Sequence, residues 1–401
     1  MGSTPIYMDH HATTPVDSRV VAAMLPYLGD RFGNAASTAH AFGRDARDAV
    51  ETGRAQVSAL LDCRPDELVF TSGATESDNL AIAGVARALE SKGNHIVTVR
   101  TEHKAVVDCC AALERDGWKV SYLDVDAEGR VTPEAVRDSL TEETILVSVM
   151  LANNEIGVLQ DVGAIGAVAR DRGVLFHCDA AQGLGYVPLS TQDVPVDLVS
   201  LSAHKMYGPK GIGALFVRRS AQARGVPAPL VHGGGHEFGL RSGTLNVPAI
   251  VGFGVAAEIL VQEGREEADR LAVLRDSLER RISNEIDETR LNGARAPRHP
   301  GNLNMSFRYV DGPALLLAVS EHVAVSSGAA CSSATPGPSY VLEAMGVPVD
   351  EAAASIRFGL GRSTTEADVA RAGDVVVEAV AAMRSRSAAW KRRTAGKPVD
   401  W

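Results

Sequence analysis

Lys205 is the residue with the clearest chemical prospects. It stands at the end of Asp197-Leu198-Val199-Ser200-Leu201-Ser202-Ala203-His204-Lys205 and is followed by Met206-Tyr207-Gly208-Pro209. The apolar run reads as a buried strand, and the small polar residues and Gly-Pro pair after it read as the turn where that strand ends. A lysine in such a place can be desolvated, which turns its amine into a nucleophile able to form a Schiff base with an aldehyde. Ser and His side chains beside it can hydrogen-bond a phosphate. An isolated strand-end lysine is better explained as a surface residue at a turn, so the decision rests on what else the chain brings to the same place.

Between about residues 67 and 217 strands and helices alternate. Strands are predicted at 67–71, 95–100, 119–123, 145–150, 174–178, 197–201 and 213–217, with helices at 76–92, 104–116, 133–140 and 164–171 between most of them. Thr132 before Pro133 is a cap followed by a first-turn proline. Such alternation implies crossover connections, an α/β fold and a mostly parallel seven-stranded sheet covered on both faces. Ligands of such sheets sit beyond the carboxyl ends of the strands. Those ends carry Thr71-Ser72-Gly73-Ala74-Thr75-Glu76-Ser77, Thr101-Glu102-His103, Asn153-Asn154-Glu155-Ile156-Gly157 and His177-Cys178-Asp179-Ala180-Ala181-Gln182. The first is a glycine-containing loop entering a helix, where free N–H groups and the helix dipole favour a phosphate. Each segment alone is better read as a turn or cap than as a catalytic group. Together they put His103, Asn154, Asp179, Gln182 and Lys205 on one rim. A carboxylate such as Asp179 that keeps a pyridine nitrogen protonated lets the ring draw electrons from a carbanion, so the set fits a pyridoxal 5'-phosphate site.

These motifs, with Tyr7-Met8-Asp9, Gly233-Gly234-Gly235-His236-Glu237, Arg241-Ser242-Gly243-Thr244, Ser326-Ser327-Gly328-Ala329-Ala330-Cys331 and Ile356-Arg357-Phe358, resemble the cysteine desulfurases of the class V aminotransferase family. The likeness runs in order along nearly the whole chain. It implies a fold type I enzyme dependent on pyridoxal phosphate, with a large domain over 16–262. Residues 1–15 and 263–401 then form a smaller α+β domain carrying a cysteine loop at about 327–340. Carried over, it implies that Lys205 holds the cofactor aldehyde, Asp179 its ring nitrogen and Gln182 its ring hydroxyl. His103 stacks on the ring and moves protons, and Ala74, Thr75, Ser202 and His204 hold the phosphate. Thr244 reaches the phosphate of a neighbouring subunit in a homodimer, and Asn154 and Arg357 hold the substrate carboxylate, for which a planar guanidinium is suited. Cys331 is then the nucleophile that takes sulfur from L-cysteine as a persulfide, releases alanine, and hands the sulfur to an acceptor or scaffold protein. Its loop has the long form found in the iron–sulfur cluster group. A selenocysteine lyase, another class V lyase or aminotransferase, and a non-catalytic docking protein for sulfur trafficking are the competing readings.

The residues around Cys331 are small, with two glycines and two prolines, and read as an irregular loop. Spacing alone leaves an incidental loop thiol equally open. The five cysteines form no C-x-x-C, and Cys63, Cys109, Cys110 and Cys178 read as small core residues, so neither disulfides nor a structural metal site is expected. His10 and His11 cannot share one face of a strand and read as a turn at the site's rim. The formal charge of -10 and pI near 5.6 disfavour nucleic acid and anionic membranes as partners, no apolar run reaches the ~18 residues of a membrane span, and no leader is evident, so a cytoplasmic protein is expected.

Gly264 is expected to end one helix, with a charged connector helix over 266–286 after it. A strand at 302–307, a helix at 313–320, strands at 323–326 and 355–360 and a helix at 366–384 follow, Thr365 and Asp368 marking the start of the last. The first residues are expected to rejoin this second unit. Phe238 and Thr38 depart from the residue types the resemblance leads one to expect. The tail 388–401, with Trp390-Lys391-Arg392-Arg393, also departs and reads as solvated.

Overall fold

The computed structural model describes residues 4–327 and 339–398. All seven predicted strands form and join one sheet. Its order is Leu68–Thr71, Gly213–Val217, Leu198–Ser202, Leu175–Asp179, Thr144–Ser148, His95–Val99 and Lys119–Leu123. The last five are mutually parallel, and Gly213–Val217 runs antiparallel to both of its neighbours. Connection length explains the exception. Residues 203–212 are too few for a crossover, which needs about a dozen or more, so the chain must turn straight back.

Six of the seven strands are buried throughout, as expected of a sheet with helices on both faces. Phe70, Phe176, Phe216 and Phe253 anchor the core on one face. Leu80, Ile82, Leu146, Leu198 and Leu215 anchor the other. Around a separate core of Met8, Leu303, Phe307 and Phe358 the four-stranded sheet Ser326–Ser327, Ser355–Gly359, Asn302–Phe307 and Thr289–Leu291 is antiparallel. The amino terminus joins this unit, with Ile6–Tyr7 parallel to Val323–Ala324.

Three expectations need correction. Gly264 ends no helix, because Val247–Glu285 runs unbroken. A Cβ on Gly264 would lie 2.4 Å from the carbonyl oxygen of Gly185, so the glycine serves close packing. The apolar first half of this helix contributes Ile250, Phe253, Ala257 and Leu260 to the large core. The charged second half turns Leu271, Leu274, Leu278 and Ile282 into the second core, a stripe at helical spacing. The strand expected at 323–326 is two, Val323–Ala324 and Ser326–Ser327, which pair in different sheets. The tail is not simply solvated. Ala388–Thr394 is helical, Trp390 packs 5.7 Å from Tyr309 between ring centres, and the Arg384 guanidinium lies 4.2 Å above the Trp390 ring.

Gly264→Ala should cost about 1–3 kcal/mol of unfolding free energy by overpacking, measured by urea denaturation. An unchanged midpoint would show that the helix is free to shift away from Gly185.

Candidate active site

Beyond Ser202 the chain makes a single turn, Ala203–Lys205, and the amino-terminal segment clamps it. Thr14 Oγ1 donates to the His204 carbonyl at 2.9 Å and accepts from the Tyr207 N–H at 2.8 Å. The Lys205 amine donates to the Ala12 carbonyl at 2.9 Å and also to that of His11. One strand over, in parallel register, Asp179 stands opposite Ser200. Lys205 and Asp179 therefore face one cavity of about 580 Å³, a volume ordinary for a small-molecule site.

One end of this cavity suits a phosphate. Gly73, at φ +154°, begins the helix Ala74–Leu89 without a side-chain cap, leaving its first N–H groups for an anion. A Cβ on Gly213 would come within 2.6 Å of Gly73 Cα, so position 213 must lack a side chain for loop and strand to meet. Ala74, Thr75, Ser202 and His204 line this part of the wall. The Ser202 hydroxyl is buried and has no hydrogen-bond partner among the described residues, as a group awaiting a ligand oxygen would be. Burial, then Lys205 and Lys210, lower His204 to about 4, so its ring is neutral.

Asp179 is buried and accepts the Ala181 N–H at 2.9 Å. Burial raises its carboxyl above the usual range, while His103, that N–H and Lys205 oppose the rise. A cationic ring nitrogen would complete its charge balance. His103 begins the helix Lys104–Arg115, its Nδ1 accepting the Ala105 N–H at 3.1 Å. Burial lowers its pKa, and the cap bond puts the neutral ring's proton on Nε2. Gln182 donates to the His11 carbonyl at 2.9 Å and lies 3.2 Å from His11 Nδ1, leaving one amide proton for the cavity. Arg357 is 1% exposed; it donates to the Asn154 carbonyl and to Asp9 Oδ1, both at 2.8 Å, and among the described residues its Nε–H has no partner. Asn154 and Arg357 both line the cavity.

The family model for aminotransferase class V matches residues 6–372. The chain belongs to the class V aminotransferase family, whose members depend on pyridoxal phosphate. A protein named cysteine desulfurase IscS, from Anaeromyxobacter sp. (strain Fw109-5), is 54% identical over 400 residues, 99% of this chain and 98% of that one. A solved NifS-like protein superposes with a TM-score of 0.87 at 36% identity, covering 94% of this chain and all of its own. A structure described as SspA in complex with cysteine gives 0.78 at 35% identity over 89% of this chain and 99% of that one.

Ten of the twelve residues proposed from the sequence line the cavity: Ala74, Thr75, His103, Asn154, Asp179, Gln182, Ser202, His204, Lys205 and Arg357. Thr244 does not; it is exposed, outside the cavity of its own chain. Cys331 lies outside the described residues, but both flanks of its segment are tied beside the site. Ser326 pairs with Arg357 across the sheet. The Ser339 hydroxyl donates to Glu155, and the Tyr340 hydroxyl donates to the Glu102 carbonyl at 2.6 Å. The other four cysteines are poor nucleophiles. Cys109, Cys110 and Cys178 are buried and Cys63 is half-buried. Desolvation raises all four thiols, Cys63 to about 12 and Cys109 to about 11, and none lines the cavity. His11, read as a rim residue, does line it, as do Thr13 and Lys210, for which the sequence offered no signal.

Neither of the two departures lines the cavity. Phe238 is exposed at φ +58° beside a buried ion pair, Arg54–Glu237, at 2.7 Å. The Thr38 carbonyl accepts from Arg44 at 3.2 Å.

Glu155 offers a pH test. Burial raises its carboxyl to about 7, against the pull of Ser339, Arg357 and Lys104. Below the unfolded value of about 4.5 both states hold the proton, whereas between there and about 7 only the folded state does. This group's contribution to stability is therefore full at low pH and is lost as pH rises through that window. Glu155→Gln, neutral throughout, should be relatively more stable at pH 8 than at pH 5 when compared with the parent by urea denaturation; equal differences at the two pH values would contradict the assignment.

Proposed function

We propose that this chain is a pyridoxal-phosphate-dependent cysteine desulfurase that takes the sulfur of L-cysteine as a persulfide on Cys331 and releases L-alanine. The observation that carries this reading is Lys205 and Asp179 at the ends of adjacent parallel strands, facing one cavity, in a chain 54% identical to a named cysteine desulfurase over nearly its full length.

In this reading the Ala74 and Thr75 amides, the Ser202 hydroxyl and His204 hold the phosphate. Asp179 would pair with the ring nitrogen and Gln182 with the ring hydroxyl, and His103, whose neutral ring carries its proton on Nε2, would stack on the ring and move protons. Bound there, the cofactor supplies an electron sink for negative charge at the substrate Cα. Arg357 and Asn154 grip the carboxylate and fix which Cα bond faces Lys205, an orienting effect that removes much of the entropic barrier. Lys205 would hold the cofactor aldehyde, and its free amine would be the base placed to take the Cα proton. The Cys331 thiolate then bonds to the substrate sulfur. The Cβ–S bond breaks, its electron pair stays with carbon, and protonation there completes the methyl group of alanine. The position of Thr244 outside its own cavity supports a homodimer in which it reaches the neighbouring phosphate, and closed symmetric dimers are the commonest oligomers. Sulfur then passes to an acceptor or scaffold protein of iron–sulfur cluster assembly in the cytoplasm.

Replacing Cys331 by Ala should leave the cofactor's visible absorption intact and reduce persulfide and alanine formation from L-cysteine by at least ~10²-fold. Full turnover in that variant would assign the nucleophile elsewhere.

A further inference from the structure

Beneath Asp179 lies a second carboxyl group that the reaction leaves unused. Asp78, one turn into the helix Ala74–Leu89, is fully buried. Asp78, Asp179 and His103 each present a polar atom within 4.8 Å of the others. Two buried carboxylates at this separation cannot both stay ionised, because each charge has lost its water and repels the other.

The surroundings decide which one keeps the proton. Asp179 has an N–H bond from Ala181 and the neighbouring His103 and Lys205, all of which favour its anion. Asp78 has only the Ser200 hydroxyl on that side, and among the described residues neither of its oxygens makes a hydrogen bond of ordinary geometry. Nε2 of His177 is 3.6 Å away, but that ring is committed to Ser200 on one side and Ser148 on the other, both at 2.9 Å. Burial lowers His177 to about 3, so it carries no charge. The remaining titratable neighbours are Glu102, Cys109 and Cys178, none of which is a cation. Desolvation, then Asp179, raises Asp78 well above the carboxylate range.

We propose that Asp78 is a protonated carboxylic acid that forms a proton-sharing pair with Asp179, keeping the Asp179 carboxylate anionic and aimed at the cavity. It is a positioning residue: its carboxyl lies within 4.8 Å of that of Asp179 and would act on the cofactor nitrogen only through it. The inference rests on the reading of Asp179 given above for its role in the reaction, but the pair itself exists or not regardless of what the enzyme catalyses. A purely space-filling Asp78 would leave the proton affinity of Asp179 untouched, whereas an acid beside it lowers that affinity by donating a hydrogen bond.

Infrared difference spectra of the full chain, recorded with and without pyridoxal phosphate from about pH 6 to about pH 9, test this. Parent minus Asp78→Asn should show one carboxylic-acid C=O stretch present in the parent throughout the range and lost in the variant. In Asp78→Leu, which removes the donor, a new acid band from Asp179 should titrate at least ~1 pH unit above the parent's. Asp78→Asn, which can still donate through its amide, should show a smaller displacement. A carboxylate band in place of the acid band would overturn the proposal, as would an Asp179 titration equal in Asp78→Leu and the parent. So would a stoichiometric divalent metal in the purified chain that is lost in Asp78→Asn, since Asp78 would then be a ligand.

Discussion

Charge has to be kept among buried groups for this site to work, and the parallel sheet is what makes that possible. Moving an isolated carboxylate or guanidinium out of water is very costly, so each charged group here is met by partners fixed in the fold. Asp179 has the Ala181 amide, Arg357 has Asp9 and the Asn154 carbonyl, and Lys205 has the carbonyls of His11 and Ala12. Strand ends supply such partners because the ladder stops there and N–H and C=O groups are released at known positions.

The amino-terminal segment ties the two units of the structure into one site. Asp9 bridges to Gly359 and bonds Arg357 in the smaller unit, while His11, Thr13 and Thr14 bond Gln182 and His204 in the larger. Fewer than ten residues thus connect the group proposed to hold the substrate carboxylate with the lysine proposed to hold the cofactor. Displacing this segment would misplace both at once, and small misplacements at a reacting centre carry large rate penalties.

The large sheet was readable because buried parallel strands are continuous apolar runs separated by helical periods. The direction of Gly213–Val217 was not, since that depends on how far the preceding connection can reach. Gly264 misled because a glycine needed for close backbone approach has the same letter as one that stops a helix. Most site residues were legible as polar groups just past strand ends. The Arg357–Asp9 pair spans 348 positions and Asp78 is concealed within an amphipathic helix; no local pattern marks either. The roles of individual residues came from family resemblance, since composition and periodicity place side chains without saying what they bind.

The central claim is that the Lys205 amine is the group joined to the cofactor aldehyde. Borohydride reduction of the purified, cofactor-loaded protein, followed by proteolysis and mass spectrometry, reads this directly. The account predicts a single phosphopyridoxyl adduct on the peptide containing Lys205. An adduct on another lysine such as Lys210, with Lys205 unmodified, would contradict it.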